Sequence, residues 1–199
     1  MIEHKIWAES PNELIVGADE VGRGSIAGPI VAASVILNSA HLPLLDGVKD
    51  SKKISGSKRE LIFDRINKTD IEIHYSSLSN KVIDAKGITY CNKNVIRDVI
   101  LPHIELCDNI FIDYVNDIHH KARAVKKGED FSLAIALASI LAKVHRDRIM
   151  IKLSKTYPQY DLDKNKGYGT KSHYEAIKKY GTQDIHRVTF LKSKIMPIK

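Results

Sequence analysis

Hydrophobic positions along this chain fall into runs and periods that switch repeatedly between strand and helix character. Residues 14–20 and 29–37 are near-continuous apolar runs joined by a glycine-rich turn, which predicts two buried strands in a hairpin. Residues 38–56 carry Pro43, Gly47 and Gly56 and predict a long loop. Ser57, with Glu60 three residues on, predicts a capped helix over 57–68. Residues 71–76 alternate as a strand does, and a helix is expected from Ile88 to Leu101 with Val95, Ile96, Val99 and Ile100 on its buried side. Residues 109–114 predict another buried strand, followed by a His- and Lys-rich loop and a short strand at 122–125. The strongest helical period spans 131–155, where Leu133, Leu137, Ile140, Leu141, Val144 and Ile151 recur. Its small residues Ala134, Ala136, Ala138, Ser139 and Ala142 predict close packing against a sheet. Beyond Pro158 the chain turns polar, carries Gly167 and Gly169, and predicts one more helix at 171–180. A hairpin followed by alternating helices and strands indicates an α/β fold with a mixed sheet.

Composition narrows the class. The 199 residues, 43% of them hydrophobic, fit one domain with a small appended subdomain, without repeats or low-complexity tracts. No apolar stretch reaches membrane-spanning length, and the first ten residues lack a signal peptide's hydrophobic centre. A cytoplasmic protein without membrane contact is therefore expected. Cys91 and Cys107 have no metal-site spacing and are expected as free thiols. The net charge of +7 makes a polyanion a plausible partner. Its distribution says more: Lys49-Asp50-Ser51-Lys52-Lys53, the stretch from Lys121 to Lys127 and Lys164-Asn165-Lys166 are basic clusters in loop-like segments.

Set against that basic rim are acids in apolar surroundings. Asp19 and Glu20 end the first strand and lead into the turn Gly22-Arg23-Gly24; Asp113 ends another strand. Neighbouring strand residues point to opposite faces, so Asp19 and Glu20 cannot both hide on one side. If the strands are neighbours, the three carboxylates converge at one sheet edge. Two like charges about 4 Å apart repel by about 4 kcal/mol at an effective dielectric of about 20. Such a cluster raises its own pKa values or takes a hard divalent cation. Two metals held by carboxylates form a device for phosphodiester chemistry. A fourth acid is expected from Lys127-Gly128-Glu129-Asp130, although acids at a helix start also serve capping and the dipole.

Taken in order, these motifs resemble ribonuclease HII. Gly17-Ala18-Asp19-Glu20-Val21-Gly22-Arg23-Gly24 with Ala27-Gly28-Pro29 is similar to that family's N-terminal signature, and Asp50-Ser51-Lys52-Lys53 to its next motif. Ala138-Ser139-Ile140-Leu141-Ala142-Lys143-Val144 with Arg146-Asp147 is similar to its long-helix motif. Tyr157-Pro158-Gln159-Tyr160, Lys166-Gly167-Tyr168, Thr170-Lys171 and His186-Arg187 with Phe190 follow its C-terminal block. The resemblance covers residues 14–190.

It implies a ribonuclease H-like fold over 1–155, with a C-terminal helical extension over 156–199 completing the substrate groove. It further implies cleavage of the RNA strand of RNA–DNA hybrids, and incision of duplex DNA 5′ to single embedded ribonucleotides, leaving 3′-hydroxyl and 5′-phosphate ends. Asp19, Glu20, Asp113 and Glu129 become ligands for Mn2+ or Mg2+, two ions at catalysis. Gly22, Arg23 and Gly24 become the turn that reads the ribose 2′-hydroxyl, where glycines let the main chain approach closely. Tyr168 becomes the stacking residue at the RNA–DNA junction. Ser51, Lys52, Lys53 and Lys143, with Arg146 and Lys171, become phosphate or site-supporting contacts, and Asp147 a structural helix acid. The family pattern has Asp where this chain has Glu129, so Asp130 ranks second for the fourth acid. Asp117, at the spacing of the sister type ribonuclease HIII, ranks third. A monomer is expected, with the basic tail from Lys192 to Lys199 a candidate contact for a sliding clamp.

Other classes explain less. A non-catalytic nucleic-acid-binding module accounts for the charge but not for acids along the phosphate path. An integrase-like nuclease needs no turn that reads ribose. A dinucleotide enzyme needs a glycine three residues after Gly24 and a helix where Pro29 stands.

Overall fold

The long apolar runs are strands because they lie inside a sheet covered on both faces, where both alternating sets of side chains must be apolar. The computed structural model describes residues 1–49 and 51–195, with side chains through Leu191. Asp50 and the end of the basic tail lie outside the described residues. The sheet contains β1 (Ile15–Val21), β2 (Ile30–Leu37), β3 (Ile73–Leu78), β4 (Asn109–Asp113) and β5 (Ala122–Val125) in the order β3-β2-β1-β4-β5. β1 pairs antiparallel with β2, and β2 with β3; β4 runs parallel to β1, and β5 parallel to β4. The hairpin and mixed sheet expected from the sequence are present, and β1 and β4 are adjacent with their C-terminal ends side by side.

One face carries α6 (Leu133–Thr156), whose first half is buried nearly all round against Ile15, Ala33, Val35 and Phe111. The close crossing is possible because Gly17 has no side chain: a Cβ there would collide with the backbone of Ala134 and Ile135. α1 (Ile2–Glu9) and α2 (Gly56–Ile66) pack on the same side. The other face carries α3 (Asn80–Lys86) and α4 (Ile88–Ile100), which bury Val95, Ile96, Val99 and Ile100 against Val16, Ala18, Ala32 and Ile112. α5 (Gly128–Phe131) is a single turn before α6.

The C-terminal block comprises α7 (Leu162–Asn165), α8 (Lys171–Tyr180) and α9 (Val188–Ile195). It shares an apolar cluster with Ile26, Ala27 and Met150. Backbone bonds stitch it to the β1–β2 connection: Ile26 N–H to Gly167 O at 2.9 Å and Gly28 N–H to Ile185 O at 2.8 Å.

Several local expectations differ from what forms. α2 is capped by Ser55, whose hydroxyl accepts from Lys58 N–H, and not by Ser57; Glu60 binds Arg148 instead of closing a capping box. The 38–56 loop contains two 3-10 stretches, Ser39–Leu45 and Ser51–Lys53. α1, α3, α7 and α9 were not expected, since helices of four to eight residues are too short for a period to register.

Candidate active site

The C-terminal end of β1 opens into a cleft of about 250 Å³ whose lining includes Asp19, Glu20, Asp113 and Glu129. Strand alternation distributes the first two. Asp19 follows Ile15 and Gly17 onto the α6 face, beside Ser139; Glu20 follows Val16 and Ala18 towards α4, beside Asn92. The Glu20 N–H donates to Asp19 Oδ1 at 2.8 Å, tying the pair together at the strand end. Asp113 ends the neighbouring parallel strand, and its Oδ1 accepts from Gly128 N–H at 2.8 Å. That bond draws the 127–130 turn to the cleft, and Glu129 on the turn is only 8% exposed.

Glu129 is the most heavily braced of the four. Its Oε1 accepts from Ser51 Oγ at 3.1 Å and from the Ser139 hydroxyl, while Lys52 Nζ lies 3.5 Å from Oε2. Asp130, the second-ranked fourth acid, does not line this cleft but an adjoining cavity that also touches Asp113 and Glu129, and pairs with Lys53 Nζ at 2.5 Å. Asp117, ranked third, lies in a separate surface depression with His119 and His120 and pairs with Lys93 at 3.6 Å.

Electrostatics fit an ion-binding role. Burial is the largest influence on Asp19 and lifts its pKa well above the usual carboxylate range; Glu20, Asp113 and Glu129 push the same way, against the Ser139 hydrogen bond. Burial and then Asp113 raise Glu20 to about 6, partly opposed by Arg23. The donor set is therefore oxygen-only, crowded and short of positive charge, which suits Mg2+ or Mn2+.

The other residues singled out in the sequence divide into groups. Lys143 and Tyr168 line the cleft; Lys143 Nζ lies 5.6 Å from the centre of the Tyr168 ring and bonds Asp147 at 2.7 Å. Ser51 also lines it, yet its hydroxyl is engaged with Glu129 and Ser139 and does not face outward. Lys52 and Lys53, with Lys126 and Lys127, border an adjoining cavity of about 450 Å³ that shares Asp113 and Glu129. Lys171 stands outside both, exposed on α8 and 3.9 Å from Glu175. Gly22 has φ +92°, a left-handed conformation, and a Cβ there would collide with the Arg146 guanidinium; a Cβ at Gly24 would meet nothing within 4 Å. Arg23 is exposed between them.

Arg146 is fully buried, which leaves it no route to a phosphate. Its guanidinium donates to Pro29 O at 2.9 Å, Lys166 O at 2.8 Å and Ala27 O at 3.1 Å. Arg187, also buried, donates to Gly28 O at 3.0 Å and to Arg23 O at 3.1 Å. Two buried cations thus hold the Gly22-Arg23-Gly24 turn from beneath, a role the sequence signalled only through motif membership. Three more supports had weaker signals: Arg59, which grips the Ser51 and Ile54 carbonyls at 2.7 Å, Ser139 and Asn92.

Comparisons with known proteins agree with this geometry. A family model described as Ribonuclease HII matches residues 16–193. A ribonuclease HII of Clostridium perfringens is 45% identical over 185 residues, covering 90% of this chain and 67% of that protein. One from Caldicellulosiruptor bescii is 42% identical over 197 residues, covering 96% and 93%. Among solved structures, a chain of the PCNA:RNase HII complex from Archaeoglobus fulgidus matches with a TM-score of 0.73 and 26% identity, over 87% of this chain and 93% of that one.

Proposed function

This chain belongs to the ribonuclease HII family of metal-dependent endonucleases acting on RNA–DNA hybrids, and from that premise we propose that it also incises duplex DNA 5′ to a single embedded ribonucleotide, leaving 3′-hydroxyl and 5′-phosphate ends. The observation that carries the reading is the meeting of Asp19, Glu20, Asp113 and Glu129 in one cleft that also contains Tyr168 and Lys143.

Asp19, Glu20, Asp113 and Glu129 hold the divalent cations. Bound there, Mg2+ or Mn2+ supplies charge neutralisation and activation of the attacking water. The residues themselves do the positioning. Ser51 and Ser139 fix the Glu129 carboxylate, and the Gly128 N–H fixes Asp113. Lys143, Lys52 and Lys53 attract the phosphate backbone, and affinity falls steeply with salt as counterions are released. The backbone of Gly22, Arg23 and Gly24 tests for the ribose 2′-hydroxyl, which is what separates RNA from DNA. Arg146 and Arg187 keep that backbone in shape. Tyr168 stacks on the sugar at the RNA–DNA junction, and residues 156–199 close that side of the groove. The monomer docks a sliding clamp through its basic tail, a reading supported by the Archaeoglobus fulgidus RNase HII, which forms a complex with PCNA.

The test uses labelled duplex DNA with one ribonucleotide, in Mg2+ or Mn2+. A single nick on the 5′ side of the ribonucleotide is expected; intact duplex under conditions that degrade a long hybrid refutes the proposal. Tyr168→Ala should impair the single-ribonucleotide substrate more than the long hybrid, and equal losses remove its junction role.

A further inference from the structure

A second group of metal-ligating side chains lies on the opposite face of the sheet from Asp19. Glu72, His74 and His103 each offer a ligand atom within 4.8 Å of the other two. Their proximity follows from the fold. His74 on β3 is directly across from Ser34 on β2, so both side chains face α4, and Glu72, two residues earlier, shares that face. His103 ends the Leu101–His103 turn after α4 and brings its ring against both, 4.8 Å from the His74 ring and 3.2 Å from Ser34 Oγ. Glu72 Oε1 and His74 Nε2 are 2.6 Å apart.

The hydrogen bonds around His103 determine its tautomer. Ser34 Oγ donates to Val99 O at 2.6 Å, which uses its only proton. It can therefore only accept from His103, so Nε2 carries the hydrogen and Nδ1 keeps a lone pair. That Nδ1 is buried with no hydrogen-bond partner among the described residues, in a side chain that is 0% exposed. An unpartnered buried acceptor is costly, so a ligand for it stabilises the fold. A neutral imidazole with its N–H fixed by a hydrogen bond is the arrangement that metal-binding histidines adopt.

We propose that Glu72, His74 and His103 Nδ1 form a second cation site, for Zn2+ or a similar late first-row divalent ion, that fastens edge strand β3 to the turn after α4. Two imidazoles and one carboxylate are a donor set for such ions and a poor one for Mg2+. Ligands at about 2.0–2.2 Å in tetrahedral geometry stand closer together than 4.8 Å. The exposed Glu72 and half-buried His74 are free to draw inward, while His103 is fixed. Water completes the coordination. The site shares no ligand with the carboxylate cleft, so occupying it leaves the hydrolytic centre intact.

The test strips the full-length chain with a chelator, saturates the carboxylate cleft with excess Mg2+, and titrates Co2+ as a spectroscopic substitute for Zn2+. Visible d–d absorption from one Co2+ per chain is expected, displaced by Zn2+. His74→Ala and Glu72→Gln, both at the exposed edge, should each weaken Co2+ about tenfold or more while Mg2+-supported hybrid cleavage stays at the parental rate. Zn2+ should raise the melting temperature of the parent chain and not of His74→Ala. Equal Co2+ affinity in parent and variants, or no uptake in excess Mg2+, overturns the proposal.

Discussion

Two regions of this molecule bury charge, and they handle it in opposite ways. At the end of β1, Asp19 and Glu20 are buried beside other acids, with few donors and an open cleft in front of them. Beneath the glycine turn, Arg146 and Arg187 are buried among carbonyl oxygens: each Arg146 nitrogen donates to one, and Arg187 donates from Nε and Nη1 while its Nη2 has no partner among the described residues. The arginines bind backbone carbonyls and act as structure. The acids repel one another, and that excess of negative charge is what a divalent cation offsets. The contrast identifies like-charged neighbours at an open cleft as the mark of the reacting centre, and backbone carbonyl acceptors as the mark of its support.

Swapping a charge in each region should break the molecule differently. Asp19→Asn and Asp113→Asn should each lower hybrid cleavage by about a thousandfold or more, while hybrid binding stays near normal. Metal-free Asp19→Asn should melt no lower than the parent, since a repulsion has been removed. Full activity in either variant refutes the metal-site assignment. Arg146→Met should instead unfold easily, because three carbonyls lose their donor: a loss of about 3 kcal/mol, or about 6–12 °C in melting temperature, is expected by calorimetry. Unchanged melting with weakened hybrid binding would make Arg146 a substrate contact after all.

Proton linkage sharpens the comparison further. Glu20 rises from 4.5 to about 6, so between those values the folded metal-free chain holds a proton that the unfolded chain has released. Its contribution to stability is fully present below pH 4.5 and is lost as pH rises through 6. Relative to the parent, Glu20→Gln should gain about 1–2 kcal/mol between acid and neutral pH in urea unfolding. In the C-terminal block, burial and then His173 depress His186 from 6.5 to about 4. Stability from that group is complete above pH 6.5 and lost as pH falls towards 4. His186→Gln should therefore flatten the acid limb by about 1–2 kcal/mol, the reverse of Glu20→Gln. Slopes of the same sign in both variants would dissolve the distinction between the regions.

How far the sequence revealed these regions depended on where the partners of each residue lie. Asp19 and Asp113 were legible because an acid closing an apolar run is locally costly, and one parallel pairing brings the two together. Glu129 was legible from its position before α6; what favours it over Asp130 is its bonds from Ser51 and Ser139, contacts no local pattern encodes. Arg146 read as either a phosphate or a site-supporting contact, and burial selects the second. Its acceptors are backbone carbonyls more than a hundred positions earlier for Pro29 and Ala27, and a carbonyl has no residue type to read. Ser55 took the cap expected of Ser57 through a two-residue shift in a segment where both hydroxyls compete for one helix start.

The bond from Arg187 to the Arg23 carbonyl joins positions 164 residues apart. A ribosome therefore releases the whole carboxylate cluster before it synthesises the brace for the glycine turn. Contacts of such separation form late, after the loop-closure entropy has been met. A chain ending before Arg187 would keep every acid of the cleft while the Gly22-Arg23-Gly24 turn lacked one of its two braces. If that turn reads the ribose as proposed, discrimination between RNA and DNA is acquired at the end of synthesis, and premature termination should produce loss of selectivity in advance of loss of metal binding.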